Sequence, residues 1–278
     1  MRPKISTHHI FGFVPGNVFV SAPHVVIVHE TFSALSVLHS AVHEVWVLTF
    51  GAALEDRICY TPSDCLENFP FPAGFETNAA LEAVGREYYE FRAALMQDLW
   101  LGLTEIYNLF HSPDDEALAR LEALYRKRAA TSDWRTAESV PADRSPLTLY
   151  ATPAAALVAV QRLRILHAAM DTAVLTAYGW TDLLPQCTCE FLLDYEDDDS
   201  ESGAEESGGR KKKKPWRYRW PDEVRDEVLA RLLKENAKRA EEERIHGLGD
   251  SGNGGSSSKK PGRPKKPKPG DDAPTLDL

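Results

Sequence analysis

The chain opens with short apolar runs broken by turn residues. Ile10-Phe11-Gly12-Phe13-Val14, Val18-Phe19-Val20 and Val25-Val26-Ile27-Val28 are separated by Pro15-Gly16-Asn17 and Ala22-Pro23-His24, a pattern that predicts three short strands. A longer period follows. Leu35, Leu38, Val42, Val45 and Trp46 fall on one stripe that ends near Gly51, which predicts a helix. Arg57–Thr61 reads as a further strand stopped by Pro62, and Phe69-Pro70-Phe71-Pro72 as a loop. So few strands seldom close a core alone. This first region, residues 1–78, is therefore expected to belong to a larger sheet and to be incomplete on its N-terminal side.

Helical spacing dominates residues 79–193. Leu81, Val84, Tyr88, Phe91 and Leu95 predict one long amphipathic helix. Leu163, Leu166, Met170, Val174 and Tyr178 predict a second, closed by Gly179, a residue that takes positive φ at little cost. Between them, residues 132–153 hold polar residues and prolines and read as an irregular insertion. Residues 194–214 read as an acidic and then basic linker. Residues 215–246 read as a charged amphipathic helix opened by Pro221-Asp222-Glu223, with Glu227/Arg231 and Glu235/Arg239 at i,i+4. Residues 247–278 read as a disordered basic tail. The expected fold class is α+β: a small mixed α/β region, then a mostly helical region, then disordered acidic and basic segments.

Composition adds one asymmetry. The 278 residues are 43% hydrophobic and 27% charged, with a net charge of −10, close to globular averages. Residues 1–206 nevertheless carry −17 and residues 207–278 carry +7. A basic end behind an acidic body points either to nucleic acid or to a solvated tail. No apolar run reaches the roughly 18 residues of a membrane span, and no signal-peptide core follows Met1-Arg2-Pro3-Lys4. Cys59, Cys65, Cys187 and Cys189 form no disulfide framework. A soluble, cytoplasmic protein with no membrane partner is expected.

Several chemical motifs fail on spacing or context. Gly247-Leu248-Gly249-Asp250-Ser251-Gly252 has the letters of a dinucleotide fingerprint but follows a charged helix, not a strand. His39 and His43 have the spacing of helical metal ligands, yet Ser40 stands where a zinc protease needs Glu. A pair of helix histidines, one of them partly buried, is the plainer reading. The thiols lack zinc-knuckle spacing. No acidic residue lies two before any lysine, as metal-dependent nucleases of that type require, and no Gly-x-Ser-x-Gly elbow occurs. Asn68-Phe69-Pro70-Phe71 departs from the Pro-Pro-aromatic loop of amino-methyltransferases at its second position. No glycine-rich turn precedes it to hold S-adenosylmethionine.

One resemblance organises the rest. The run Tyr60-Thr61-Pro62-Ser63-Asp64-Cys65-Leu66-Glu67-Asn68-Phe69-Pro70-Phe71-Pro72 resembles the target-recognition region of large bacterial adenine-specific DNA methyltransferases. These are the type IIG/IIL restriction–modification enzymes and the BREX-type phage-defence methylases. Similar runs flank it in order: His39–Trp46, Glu87–Arg92, Thr104–His111, Leu166–Asp171 and Ala177–Trp180. The resemblance extends from about His8 to Ala240, with departures at Leu66, Asn68 and a longer stretch near residues 112–160. It implies that the parent reaction is methyl transfer from S-adenosylmethionine to adenine N6. It also implies that the cofactor and catalytic loops lie N-terminal to the part represented here. This chain is then expected to bind no cofactor and to work with a separate methyltransferase catalytic chain on double-stranded DNA.

Candidate DNA contacts fall in three places. Arg57, Tyr60, Thr61, Ser63 and Asp64 are candidates for reading base edges. Arg210, Lys211, Lys212, Lys213 and Lys214 lead into Trp216-Arg217-Tyr218-Arg219-Trp220, where cations (Arg217 and Arg219 included) alternate with aromatics. Such a run neutralises phosphates and stacks on bases, or else its aromatics dock onto the body. Pro261-Gly262-Arg263-Pro264-Lys265-Lys266 is similar to a minor-groove hook, with Arg263, Lys265 and Lys266 as the contacts. The acidic body weighs against direct DNA contact and leaves open a noncatalytic protein-interaction module with a nonspecific DNA-binding tail.

Overall fold

The computed structural model describes residues 1–54, 57–130, 150–193 and 215–246. Most of the insertion expected at 132–153, the acidic-to-basic linker up to Lys214, the Gly247–Gly252 motif and the basic tail lie outside them. The fold is mixed α+β, and the described residues up to Arg239 form one compact unit. Of the second unit, residues 240–278, the end of one helix and His246 are described.

The N-terminal strands are short. β1 (Arg2–Pro3) pairs antiparallel with β3 (His24–Val25). β2 (Ile5–Ser6), β5 (Arg57–Cys59) and β4 (Ala52–Leu54) form an antiparallel sheet in the order β2-β5-β4. The strands expected at 10–14 and 18–20 do not form. Side chains take the backbone groups of Phe11 instead: its N–H donates to His39 Nδ1 at 3.2 Å, and its carbonyl accepts from Arg92 Nη2 at 2.8 Å. Of the third expected strand, only Val25 joins a ladder.

The next stripe is two helices, not one. α1 (Phe32–His39) and α2 (Ala41–Phe50) meet at Ser40, which is extended at φ −70° and ψ 157°. Its hydroxyl donates to Val37 O at 2.7 Å and accepts from His43 N–H. A serine that offers the backbone an alternative partner thus ends one helix and caps the next. A single turn, α3 (Pro62–Cys65), follows β5.

α4 (Ala79–Leu99) starts at Asn78, whose side chain accepts from the N–H groups of Ala80 and Leu81. α5 (Leu103–Phe110) and α6 (Asp114–Ala130) follow, then α7 (Pro153–Ala177), capped by Thr152. The chain leaves α7 through Gly179 at φ +77°, as the sequence predicts. β6 (Glu190–Leu193) pairs antiparallel with β7 (Trp216–Arg219), from Glu190↔Arg219 to Leu193↔Trp216. α8 (Asp222–Ile245) closes the described chain. The helix begins at Asp222, where Pro221-Asp222-Glu223 opens it, and the alternating Trp-Arg-Tyr-Arg residues before it form a strand. Glu227 and Arg231 form the expected ion pair at 2.7 Å.

Three apolar clusters fill the unit. One packs α4, α5, α6 and α7 through Leu95, Ile106, Leu121 and Leu163. A second joins Trp46, Phe69, Val174 and Trp180 to Trp220, Val224, Val228 and Leu232 of the α8 segment. The third sets Phe11, Leu35, Leu38, Tyr60 and Cys65 against one another. Each fully buried large side chain contributes about 1.5–3 kcal/mol, so α8 belongs to the core of the unit.

Candidate functional site

Between the clusters lies a buried polar network. His39, at the end of α1, accepts the Phe11 N–H at Nδ1, so its proton sits on Nε2. That nitrogen is 2.7 Å from Tyr107 Oη and 3.1 Å from Tyr88 Oη. Arg92 Nη1 donates to Tyr107 Oη at 3.1 Å. Having accepted from both, Tyr107 donates its own hydrogen to Tyr88. Arg92 is 2% exposed, and its guanidinium lies over the rings of Tyr88 and Tyr89.

A second branch runs under the N-terminal strands. Arg2 is 1% exposed, donates from Nη1 to His9 Nδ1 at 3.1 Å and lies 4.4 Å from the Tyr60 ring centroid. His9 then donates from Nε2 to Leu38 O at 2.7 Å. Both ring nitrogens of His43 face carbonyl oxygens, Leu38 O at 2.8 Å and Cys65 O at 2.9 Å. Two acceptors favour an imidazolium, but burial and then the charge of Arg2 outweigh them and bring the pKa down to about 4. A neutral His43 carries one proton and donates to one of these two carbonyls at a time.

His9, His39 and His111 are likewise held well below the ordinary histidine pKa, first by burial and then by neighbouring positive groups. His167 goes the other way. Burial opposes its charge, yet Asp171, 3.1 Å from Nδ1, outweighs that and raises it. Arg164 closes the far end: it donates to the carbonyls of Leu109, Phe110 and Ser112 at the end of α5 and to Asp114 at the start of α6. A cation there complements the helix dipole.

The sequence-predicted contacts separate on this frame. Arg57, Ser63 and Asp64 are exposed, with Thr61 half-buried between them as the N-cap residue of α3. They form one short surface along β5 and α3. Asn68 Nδ2 on Ser63 O, and Trp46 Nε1 on Asp64 O, hold its backbone. Tyr60 is a correction: it is 0% exposed beneath Arg2, so no base edge can reach it. For the aromatics around β7, the docking alternative holds. Trp220 is 3% exposed in the core, Tyr218 packs on Phe110 and Phe191, and Trp216 Nε1 donates to Glu116. Trp220 therefore offers no face to a base, while Trp216 and Tyr218 are half-buried. Arg217 reaches His8 Nδ1 at 3.2 Å and so ties β7 to the N-terminal segment, while Arg219 pairs with Asp222 at the start of α8 at 2.6 Å. Arg210, Lys211, Lys212, Lys213, Lys214, Arg263, Lys265 and Lys266 lie outside the described residues.

His39 and His43 are both buried, where one partly buried partner was expected. Among the described residues no group of three or more His, Cys, Asp or Glu is arranged to hold a metal ion. No described helix is long and apolar enough to cross a membrane. The network itself escapes the sequence reading. Its only signal is the placement of histidine, tyrosine and arginine at apolar-stripe positions of α1, α4 and α5. No protein-family model, curated protein or solved structure matches the chain.

Proposed function

We propose that this chain is the DNA target-recognition and accessory part of an adenine-N6 DNA methyltransferase, acting in host modification or phage defence with its catalytic chain supplied separately. The observation that carries this reading is where the resembling runs meet. His39 and His43 come from the first, Tyr88 and Arg92 from the second, Tyr107 from the third, and His167 and Asp171 from the fourth. Residues that share one core are what a common folding unit requires. S-adenosylmethionine and the step that extrudes the adenine belong to the partner. This chain contributes the Arg57–Asp64 surface and the cations of residues 210–214 and 263–266.

A second reading has its own support: a noncatalytic protein-interaction module with a nonspecific DNA-binding tail. The charge of −17 over residues 1–206 repels phosphate, and Tyr218 and Trp220 pack against the body. Selection of random-sequence duplexes by the immobilised full chain separates the two. An enriched motif that weakens in Arg57→Ala and Ser63→Ala variants supports target recognition. Retained duplexes with no common motif support the second reading.

A further inference from the structure

The segment after β3 continues as extended backbone with no strand paired to it among the described residues. From His24 to Glu30 burial alternates strictly: Val25, Ile27 and His29 face the body, while His24, Val26, Val28 and Glu30 face out. That two-residue period marks extended backbone, and Thr31 at its end has φ −96° and ψ 147°. β1 covers only His24 and Val25. The backbone groups of Val26, Ile27 and Val28 have no partner among the described residues. The two central outward side chains are apolar and bare, Val26 57% and Val28 89% exposed, as is Phe19 earlier in the chain at 92%. Natural edges are usually blunted by lysine, proline or a bulge; this one carries none between Val25 and Glu30.

We infer that this edge pairs with the same edge of a second copy, antiparallel about Ile27, to give a two-fold symmetric dimer. The register follows from side-chain parity. Pairing about a residue keeps outward side chains on one face, and pairing between residues does not. Centred on Val26, the strands set His24 against Val28 and Glu30 against Ala22; centred on Val28, they set Glu30 against Val26. Centred on Ile27, Val26 meets Val28 and His24 meets Glu30, each pair twice by symmetry. Only this register places the acidic residue opposite a basic one and valine opposite valine. His24 is already steadied by Nδ1 donating to Ser21 O at 2.9 Å.

Seven residues a side fall short of the roughly 800 Å² per partner of a standard interface, so the dimer is weak. The inference does not depend on the role in DNA recognition. Sedimentation velocity of the full chain over rising concentration tests it, reading the shift from 31.0 kDa toward twice that mass. Glu30→Lys and His24→Glu each weaken association at least tenfold, and the His24→Glu/Glu30→Lys double variant restores it. Val28→Lys abolishes it. All three positions are exposed, so unchanged far-UV circular dichroism confirms that each variant keeps its fold. A chain that stays monomeric throughout, or a dimer indifferent to Glu30→Lys and Val28→Lys, overturns the inference, even if DNA is still bound selectively.

Discussion

Asp171 on α7 accepts the Ala41 N–H at 2.8 Å, across 130 residues of sequence. It caps the first turn of α2 from outside, while its other oxygen lies 3.1 Å from His167 Nδ1. One carboxylate, 2% exposed, thus joins the α1–α2 break to the longest helix. Asp171→Ala leaves both a helix-terminal N–H and a buried imidazole without their acceptor. A loss of about 3 kcal/mol is expected from the urea midpoint, and Asp171→Asn recovers part of it.

The direction of the hydrogen bonds ranks two tyrosines. Tyr107→Phe strands the Arg92 Nη1 donor and leaves His39 only the longer contact to Tyr88, and is expected to cost about 2–4 kcal/mol. Tyr88→Phe removes one acceptor and costs about 1 kcal/mol. Thermal unfolding of the two variants checks the order, and equal losses would refute the assigned hydrogen-bond directions.

What the sequence makes legible is periodic. α4 and α7 follow from their apolar stripes, the exit of α7 follows from Gly179, and β5 follows from its β-branched and cysteine residues before Pro62. The α1–α2 break does not, because one capping serine interrupts an otherwise continuous stripe. The false strands at 10–14 and 18–20 have apolar content without a neighbour to pair with, and at Phe11 side chains from His39 and Arg92 replace the ladder. β7 reads as DNA-binding because cations alternate with aromatics, yet the same alternation puts Tyr218 in one core and sends Arg217 to His8. The surface of Arg57, Thr61, Ser63 and Asp64 is legible. The burial of Tyr60 is not, since it depends on Arg2, far away in sequence.

At Gly85, α1 and α4 touch. An added Cβ there would meet the Phe32 carbonyl oxygen and Ser36 Oγ well inside van der Waals contact. Gly85→Ala therefore forces the helices apart and costs about 3 kcal/mol. Gly12→Ala, whose Cβ meets nothing within 4 Å, is the matched control and leaves the melting temperature within a few degrees.

Acid should unfold the protein early. His9, His39, His43 and His111 have folded pKa values below the unfolded value of about 6.5. Their contribution is present above pH 6.5 and is lost as pH falls toward the folded values. For His43, with a pKa of about 4, the loss reaches about 3 kcal/mol at pH 4. Protonated His111 also ceases to accept the Tyr218 N–H, so the β7 contact goes with it. His167, raised by Asp171, opposes them: its contribution is complete below pH 6.5 and fades as pH rises through its folded value. Urea midpoints falling between pH 7 and pH 5 are expected, and a flat profile would contradict the neutral assignments.

The central claim is that the folded body reads DNA, and salt dependence tests it most directly. Cutting the chain after Leu193 would strip Trp220, Val224, Val228 and Leu232 from the core, so the comparison uses substitution. The full chain is set against a variant with Arg210, Lys211, Lys212, Lys213, Lys214, Arg263, Lys265 and Lys266 all changed to Gln. Anisotropy of a labelled duplex carrying the selected motif is followed from about 50 to 200 mM salt. The account predicts that the variant still prefers that duplex over a scrambled one, with a shallower salt slope. Loss of all binding in the variant, with a steep slope in the parent and no preference in either, would contradict it.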